Sequence, residues 1–464
     1  MESKKATKAV NANPEPRKLE TTTILSMKFQ IKAILCDNRV SMKRPTLYRK
    51  HKICMKLLGV FQGCQDTRVK GRCTYAMPDL ILMMFLAIVA GADNPIEIAL
   101  FWESEDIYRL YCKVFKYDRV PSHDTFLRIL AIINPSELNA LLVYAQELRD
   151  KAIRKALGIK EAEKKTVIMD GKVMRGTSRK GGTNEEIKAT QVLNAMSYDS
   201  ETCILSIAIE NKSNEVPAVR EAIKSLMDVN NVVFTFDSLH TNRETALLIL
   251  SLKGDFVGGL KGNQPKFNKF AKGKFTDEYM EKVRNDSTLH VYSSEISHNQ
   301  FELREFYLYN LASVDKRGPF LEWQGVETIT CMKKSTCNNV TGEKTEEIRY
   351  YLSTLKDVEL IAKTIRSHWA IENNMHWELD TVMKEDECAF TNKTAALNWS
   401  ILSKVSLSFL RRYQQLLGKT APSKKGLRKQ MGWSFESMLS TVLLMMDADE
   451  LSSALTLVPK KSRD

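Results

Sequence analysis

Three acidic side chains in this sequence have the types and spacing needed for metal-dependent chemistry. Asp170 follows the short apolar run 166–169, and Asp237 follows the apolar run 231–236. Both runs are typical of buried strands, and open α/β sheets bind ligands at the carboxyl ends of their strands. Glu372 lies further along the chain, in a stretch with helical spacing. Taken alone, either aspartate could be an ordinary loop residue, because many α/β folds end strands in Asp.

Carboxylates gathered at one edge of a sheet predict a particular cofactor. Neighbouring carboxylates repel one another unless a cation lies between them. Mg²⁺ suits such a site because it takes oxygen ligands and keeps several waters. Two ions about 4 Å apart can hold both the attacking and the leaving oxygen of a phosphodiester. The two aspartates alone are weak evidence for such a site, and Glu372 could complete it as a third carboxylate.

The helical stretch around Glu372 also carries two histidines. Steps of four residues place His368, Glu372 and His376 on one helical face. The histidines could contact scissile phosphates or take a general-acid position. Two alternatives stay open: the column could bind a transition metal, or His376 and Trp377 could simply pack against another element. A zinc hydrolase is disfavoured, because the first histidine lacks the adjacent glutamate of H-E-x-x-H.

The elements that must position these residues follow from the hydrophobic pattern. Residues 60–160 read as helices, with a buried helix over 80–89 and Ser122 as the N-cap of a later one. Residues 166–260 run β-β-β-α-β-α-β, and alternating residues predict strands over 265–350. Three helices complete the chain, at about 360–383, 394–417 and 434–446. The predicted fold class is α+β: a helical module, an α/β core, a β-rich insertion and C-terminal helices.

The charge of the chain predicts a polyanionic partner, most simply nucleic acid. The 464 residues carry a formal net charge of +13. Residues 1–60 hold 14 Lys/Arg against 4 Asp/Glu, so most of the excess lies at the N-terminus. A solvated tail that aids solubility is the alternative for this segment.

Cysteine usage and hydropathy indicate the compartment. The nine cysteines form no C-x-x-C pair, which argues against a disulfide framework and against a zinc finger. The longest apolar run, 80–92, is shorter than the ~20 residues of a membrane helix, and the N-terminus lacks a signal-peptide core. We therefore predict a soluble, cytoplasmic protein.

Several short motifs in a fixed order carry a family resemblance. They are Pro121-Ser-His-Asp-Thr-Phe126, Asp170-Gly-Lys-x-x-Arg-Gly176, Lys212-Ser-Asn-Glu215, Asp237-Ser-Leu-His-Thr241, Leu260-Lys-Gly-Asn-Gln264 and His368-Trp-x-Ile-Glu-Asn-x-x-His-Trp377. Together they resemble the H-repeat-associated family of bacterial insertion-sequence transposases, a branch of the DDE group. The resemblance covers roughly residues 57–412.

The resemblance implies an RNase H-like catalytic core and a domain plan. A basic extension occupies residues 1–56, a helical module 57–157 and the catalytic domain 158–464, with a β-rich insertion at about 265–350. The intervals agree with such an insertion, because 67 residues separate Asp170 from Asp237 and 135 separate Asp237 from Glu372. The resemblance implies that Asp170, Asp237 and Glu372 are the catalytic residues and the ligands of two Mg²⁺ ions, for which Mn²⁺ can substitute.

Charge and the resemblance together nominate residues for contact with DNA. They are Lys172, Arg175, Lys212, Lys261, Arg304, Arg366, His368 and His376. The chain departs from the family pattern in two places. Ile365 replaces a Tyr and His368 takes the place of an Arg, so either Arg366 or His368 could do that arginine's work, and Asn242 stands where Gln is expected.

The activity implied is DNA transposition, with DNA as the partner. The protein would cut at the terminal inverted repeats of its element and transfer the freed strand into target DNA, at the bacterial nucleoid. Synapsis of two ends would favour a homodimer. Two rival functions stay open: an RNase H-like nuclease that cuts without joining, and a domesticated DNA-binding relic without catalysis. The helical module 57–157 could recognise the repeats, or it could only brace the core or dimerise.

Overall fold

The computed structural model describes most of the chain between residues 64 and 442. The gaps are 70, 141–142, 145, 148–153, 155–162, 181–185, 210–214, 227, 298, 315–322, 324, 419, 436–437 and 440. The predictions made for residues 1–56, for Lys212 and for most of the helix at 434–446 therefore concern residues outside the described set.

Four helices whose bounds the structure describes precede the sheet, and residues 135–140 are helical as well. The four helices are α1 Met77–Val89, α2 Pro95–Glu103, α3 Glu105–Phe115 and α4 His123–Ile132. Pro78 and Asp79 in the first turn favour the start of α1, and every residue from Leu80 to Val89 is buried. α4 begins directly after Ser122. The buried helix and this helix start are both confirmed.

Eleven strands follow in the described residues. They are β1 Lys165–Met174, β2 Arg179–Lys180, β3 Glu186–Ile187, β4 Thr190–Ser197, β5 Thr202–Ile209, β6 Val232–Phe236, β7 Asp255–Leu260, β8 His290–Ser297, β9 Gln300–Asn310, β10 Thr328–Asn338 and β11 Lys344–Ser353. Nine of them form one sheet in the order β5-β4-β1-β6-β7-β11-β10-β9-β8, while β2 pairs with β3. β1, β6 and β7 are parallel to one another, and the remaining pairs of the large sheet are antiparallel.

Eight further helices with described bounds cover the sheet or follow it. They are α5 Glu215–Ser225, α6 Arg243–Ser251, α7 Pro265–Lys274, α8 Asp277–Val283, α9 Val358–Ala370, α10 Trp377–Thr381, α11 Lys393–Leu417 and α12 Lys424–Trp433. α9 and α10 are joined without a break by a π-helical segment, Ile371–His376. The first five strands of the sheet order, with a parallel centre and two antiparallel neighbours, form the RNase H-like core, and the α+β fold class is confirmed.

The alternation of side chains along β1 divides the interior into two layers. Val167 and Met169 pack into the cluster formed with α5, α6 and α7. Ile168 and Met174 face the opposite layer, where α11 packs against the N-terminal helices α1 and α4. The carboxylate of Asp170 follows the same alternation as Ile168 and so belongs to this second face. Asp170 thus shares a face with the π segment, whose Ile371 and Met375 lie in the same cluster.

The structure corrects three secondary-structure predictions. β1 does not end at Asp170 but continues to Met174, because residues 170–174 pair with β4. The strand-rich insertion does not begin at 265, since α7 and α8 occupy 265–283 and strands start only at His290. α12 was not predicted. In the described ranges, no helix has both the length and the hydropathy to cross a membrane.

Candidate active site at the sheet edge

Asp170 and Asp237 lie at the same level on neighbouring strands. The parallel register of β1 and β6 pairs Ile168 with Thr235, and each aspartate comes two residues later. β6 ends at Phe236, whereas β1 continues and pairs with β4 alone. Asp237 therefore stands at the point where the two parallel strands separate, and its side chain is 48% exposed.

Glu372 acts on Asp170 through its charge. Burial raises the pKa of Asp170 to about 7, and the carboxylates of Glu372 and Asp237 push it in the same direction. The backbone N–H of Gly171 and the ring of His240 oppose this shift. A carboxyl group whose ionisation is resisted by two other carboxylates is one that a bound cation would help to ionise. The donor set therefore fits a divalent metal, although among the described residues no three acidic, His or Cys side chains already converge tightly enough to hold one.

Two residues missed as candidates in the sequence complete this edge, Glu215 and His240. The Nε2 atom of His240 lies 3.3 Å from Oε1 of Glu215 and 3.9 Å from Oδ1 of Asp237. His240 is buried, and its Nδ1 has no hydrogen-bond partner among the described residues. Both residues occur in the quoted motifs, so the motifs themselves were the signal that could have identified them.

The glycine of the Asp170 motif is explained by Glu215. A Cβ atom on Gly171 would lie 2.8 Å from Oε1 of Glu215, which is closer than a real contact allows. Gly176, at the end of the same motif, would meet the backbone oxygen of Asp386 in the same way. Any side chain at position 171 would therefore displace the Glu215 carboxylate that contacts His240.

The helix that carries Glu372 is not the regular α-helix assumed in the sequence analysis. The π segment widens the turn between His368 and His376, so steps of four residues no longer repeat on one line. Within the segment Ile371 and Met375 are buried, whereas Glu372 is exposed. Glu372 thus projects from a helix whose neighbouring residues anchor it in the core.

Both histidines of this helix are held neutral. Burial lowers the pKa of His368 to about 4, with the charge of Asp237 acting against the shift. Burial also lowers the pKa of His376 to about 3, assisted by Lys404 and Lys172. The Nδ1 atom of His376 lies 3.6 Å from Oδ2 of Asp170, and its Nε2 lies 3.2 Å from the amide nitrogen of Asn194. The ring of His376 therefore bridges Asp170 and the strand β4.

Lys172 does not lie where a phosphate contact would need it. Its side chain is 8% exposed, and Nζ lies 2.6 Å from Asp380, 3.1 Å from Glu385 and 3.6 Å from Asp386. An enclosed ammonium group that already faces three carboxylates neutralises them and has no free side for DNA. This placement argues against the predicted DNA contact of Lys172.

The other predicted DNA contacts differ in their access to solvent. The side chain of Arg175 is 83% exposed, and Lys261 is exposed at the end of β7. Arg304 and Arg366 both contact Glu295, at 2.7 Å and 3.3 Å. Arg175, although its guanidinium lies 3.7 Å from Asp386, and Lys261 are thus open to solvent, whereas the two arginines near Glu295 share a carboxylate.

One departure from the family pattern has a structural explanation. Asn242, which stands where Gln is expected, is the N-cap of α6, and its side-chain oxygen accepts a hydrogen bond from the backbone N–H of Thr245. Asn is among the best N-cap residues, whereas Gln is not. The substitution therefore secures the helix that follows Asp237.

Comparisons with known proteins identify the family of this chain. The family model described as Transposase DDE domain matches residues 161–408, more than half of the chain, and the one described as DDE_Tnp_1-associated matches 58–144. The chain therefore belongs to the DDE transposase family.

Its relatives include proteins of the H-repeat type. The protein YbfL and the H repeat-associated protein YhhI, both of Escherichia coli strain K12, are 27% identical to it over 385 residues, covering 81% of this chain and 94% of each relative. The H repeat-associated protein YbfD of the same strain is 27% identical over 253 residues, 54% of this chain and 92% of the relative. The resemblance noted in the sequence is confirmed.

A solved structure of a transposase was also found. It is a piggyBac transposase synaptic complex with hairpin DNA, 11% identical, covering 94% of this chain and 86% of its own with a TM-score of 0.35. A score this low leaves the family assignment to the sequence matches alone.

Proposed function

We propose that this protein cuts DNA at the ends of an insertion element and joins the freed strand to target DNA. The observation that carries the proposal is the geometry of the sheet edge. Asp170 and Asp237 stand at one level on adjacent parallel strands, and Glu372 and Asp237 both raise the pKa of Asp170. The three predicted ligands thus share one electrostatic site, in a family whose members are DDE transposases.

The carboxylates of this site would hold two Mg²⁺ ions, or Mn²⁺ in their place. When bound, such ions supply Lewis-acid activation of an attacking oxygen and charge for a leaving oxygen. Asp170 and Asp237 are fixed by the strand register, and Glu372 is presented from the π segment on the same face. We therefore expect a scissile phosphate to lie beside these three carboxylates, at the carboxyl end of β6.

The chain's other residues serve the substrate in two ways. His240 lies 3.9 Å from Asp237 and is itself held by Glu215 at 3.3 Å, so it would help to position the carboxylate of Asp237. Arg175 and Lys261 offer exposed positive charge that would neutralise the phosphates of a bound strand. We expect DNA to approach from the side on which Asp237 is exposed, with a homodimer holding two ends.

The helical module is proposed to brace the catalytic core. α1 and α4 pack directly on α11, and all three contribute to one apolar cluster with the π segment. A deletion of residues 1–157 would therefore expose the buried side of α11 and would not test recognition of the repeats cleanly. Point substitutions on the exposed surface of α3, such as Arg109→Gln, leave the cluster intact and test repeat recognition directly.

The decisive experiment compares wild type with Glu372→Gln on labelled DNA that carries the flanking ends of the gene. We expect cleavage with Mg²⁺ or Mn²⁺ by wild type and none by Glu372→Gln or Asp170→Asn, with DNA binding retained in both. Glu359→Gln is the matched control, because it makes the same change at an exposed position of the adjoining helix α9. Substantial cleavage by Glu372→Gln would overturn the assignment.

The rival functions are separated by two further results of the same assay. A wild-type protein that cuts but never joins the cut end to a second DNA is the nuclease. A protein that binds the ends tightly but is silent with every divalent metal is the relic. Joined products that depend on Asp170, Asp237 and Glu372 would exclude both rivals.

A further inference from the structure

A line of buried polar side chains leads from the middle of α11 to Asp170. In order they are Lys404, Ser206, Asn194 and His376. Lys404, Ser206 and Asn194 are 3%, 4% and 0% exposed. These residues lie on α11, β5, β4 and the π segment, so the line crosses two strands between its ends. Polar groups buried this deeply are costly unless each is matched to a partner.

The contacts along the line are all of hydrogen-bond length. Nζ of Lys404 lies 3.0 Å from Oγ of Ser206. Oγ of Ser206 lies 2.9 Å from the side-chain oxygen of Asn194, and the amide nitrogen of Asn194 lies 3.2 Å from Nε2 of His376. The line is therefore continuous from the ammonium group to the imidazole ring.

The hydrogen bonds along this line run in one direction, from Lys404 to His376. A lysine ammonium group can only donate, so Ser206 accepts from Lys404, and its own proton is donated to the side-chain oxygen of Asn194. The oxygen of Asn194 is thereby the acceptor, and its amide nitrogen donates to Nε2 of His376. An Nε2 atom that accepts carries no proton. The neutral imidazole of His376 must then carry its proton on Nδ1, the nitrogen that faces Asp170.

A second set of contacts holds Lys404 in its donating role. Nζ of Lys404 also donates to Oγ of Ser400 at 2.6 Å, and Ser400 in turn donates to the carboxylate of Glu385. The carboxylate can only accept, so this branch has a fixed direction as well. Glu385 is fully buried and lies 3.1 Å from Lys172. Lys404 is thus linked through Ser400 to the ionic cluster around Lys172, and through Ser206 to Asn194.

We propose that Lys404, through Ser206 and Asn194, sets the tautomer of His376 so that its Nδ1–H is aimed at Oδ2 of Asp170. Lys404, Ser206 and Asn194 are positioning residues, since none of them contacts Asp170. The distance of 3.6 Å between Nδ1 and Oδ2 is longer than a hydrogen bond. A movement of about half an ångström closes it, as often happens when a site is assembled around its substrate. One oxygen of Asp170 is thereby held by the ring and the carboxylate is fixed in rotation.

The catalytic role of this arrangement rests on the proposed function, whereas the tautomer of His376 does not depend on that function. His376 becomes part of the support of Asp170, which differs from the phosphate contact expected of it in the sequence. If the ring proton of His376 were on Nε2 instead, Nδ1 would present a lone pair to Oδ2 and repel the ionised carboxylate of Asp170. Partners that orient a ligating group typically change metal affinity or activity by about 10–100-fold when they are removed.

The test reads the tautomer of His376 directly. The full chain is labelled with ¹⁵N-histidine, and its ring nitrogens are observed by long-range ¹H–¹⁵N correlation. The signal of His376 is assigned by its loss in His376→Gln among the seven histidines of the chain. We expect wild type to carry the ring proton on Nδ1.

Two variants should move that proton. Asn194→Asp keeps the shape of the side chain but replaces the donor with an acceptor, so His376 must protonate Nε2. Lys404→Met frees the hydroxyl of Ser206, so a mixture of the two tautomers is expected. Ser403→Ala is the matched control: Ser403 lies on the same helix and is 1% exposed, and its hydroxyl takes no part in the line. We expect it to leave the Nδ1 tautomer unchanged.

The outcomes separate this inference from the proposed function. A wild-type ring protonated on Nε2, or an unchanged tautomer in folded Asn194→Asp, overturns the inference whether or not the protein cuts DNA. If Lys404→Met fails to fold, Ser206→Ala removes the middle of the line with a smaller change and is read in the same way. Where wild type cuts DNA, Asn194→Asp should lower kcat by roughly 10–100-fold with little change in DNA affinity. An unaltered kcat beside a switched tautomer would overturn the positioning role.

Discussion

The two halves of the nine-stranded sheet differ in how deeply their charged and polar side chains are buried. The inner half, β5-β4-β1-β6-β7, is covered on both faces, and its polar side chains such as Asn194 and Lys172 are buried among matched partners. The outer half, β11-β10-β9-β8, leaves Tyr292 and Ile296 66% and 74% exposed and carries partly exposed ion pairs, such as that of Lys333 with Glu346. The proposed catalytic residues all belong to the inner half or to the helix that covers it.

This difference shows in which half of the sheet the positions of the polar side chains are fixed and in which half they are adjustable. In the inner half a polar side chain that loses its partner cannot form a hydrogen bond to water instead. Each polar group therefore constrains the position of its neighbours. In the outer half solvent compensates for a lost partner, and surface ion pairs contribute little. We expect substitutions in the inner half to act on the fold and on the acidic site together. Substitutions in the outer half should act mainly on how DNA is held.

The largest expected effect comes from a matched pair of lysine substitutions, one in each half. Lys172→Met on β1 leaves Glu385 fully buried without its cation, and should lower the free energy of unfolding by roughly 3–5 kcal/mol. Lys334→Met on β10 removes a contact with Glu302 at 3.0 Å from a side chain that is 29% exposed, and should cost less than about 1 kcal/mol. Urea titration of both proteins measures the difference. Equal losses would show that the two halves do not differ as described.

A smaller effect is expected from Asp170→Asn in protein freed of metal. The folded pKa of Asp170, about 7, lies above its ordinary value of 3.8, so the stability that its protonated form contributes is present at low pH and is lost as pH rises towards 7. Asn carries no charge at any pH. The variant should therefore be more stable than wild type at pH 8 by roughly 1–3 kcal/mol, and the gap should narrow towards pH 5.

Thermal unfolding at both pH values checks this sign. Burial of Asp170 is the main cause of the raised pKa, and the facing carboxylates of Glu372 and Asp237 add to it, while His240 opposes it and His376 lies alongside. Glu359→Gln, on the exposed side of α9, serves again as the control and should show no such pH dependence. A variant less stable than wild type at pH 8 would contradict the crowding of negative charge at this site.

The smallest effect is predicted for Glu295→Gln in the outer half. Glu295 contacts both Arg304 and Arg366, so the change releases the guanidinium group of Arg366 and removes one of the two carboxylate partners of Arg304, which keeps Glu302. Stability should change by less than about 1 kcal/mol. If these arginines contact DNA, the affinity for DNA should rise and its dependence on salt should steepen by up to about 0.9 for each phosphate gained. Binding isotherms at several salt concentrations decide this, and an unchanged slope would remove both arginines from the predicted interface.

Much of the α/β core was predictable because its signals are local. The strands of residues 166–260 have apolar runs bounded by turns, and the two aspartates follow such runs. The strand β1 was cut short in the prediction, because the sequence does not show that residues 170–174 find a partner in β4. Asp170 lies two residues beyond the last residue of β1 that pairs with the parallel strand β6, and not at the end of β1 itself.

The support of the site was harder to predict because its partners are far apart in sequence. Lys404 stands alone among apolar and small residues of α11, and Asn194 stands alone in an apolar strand. A single polar residue in such a run is a signal of a buried contact, but the contact between Lys404 and Ser206 spans 198 residues. The partners of Lys172 were unpredictable for the same reason, since Asp380 and Glu385 lie more than 200 residues away in the sequence.

The widened turn at Ile371–His376 constrains how this chain can evolve. A π segment is equivalent to one extra residue in an α-helix, so losing one residue here would restore regular hydrogen bonding. It would also turn everything on one side of the deletion by about 100° relative to the other, given 3.6 residues per turn. Glu372 and His376 could then not both face Asp170. The segment should accept changes of residue type far more readily than any change of length.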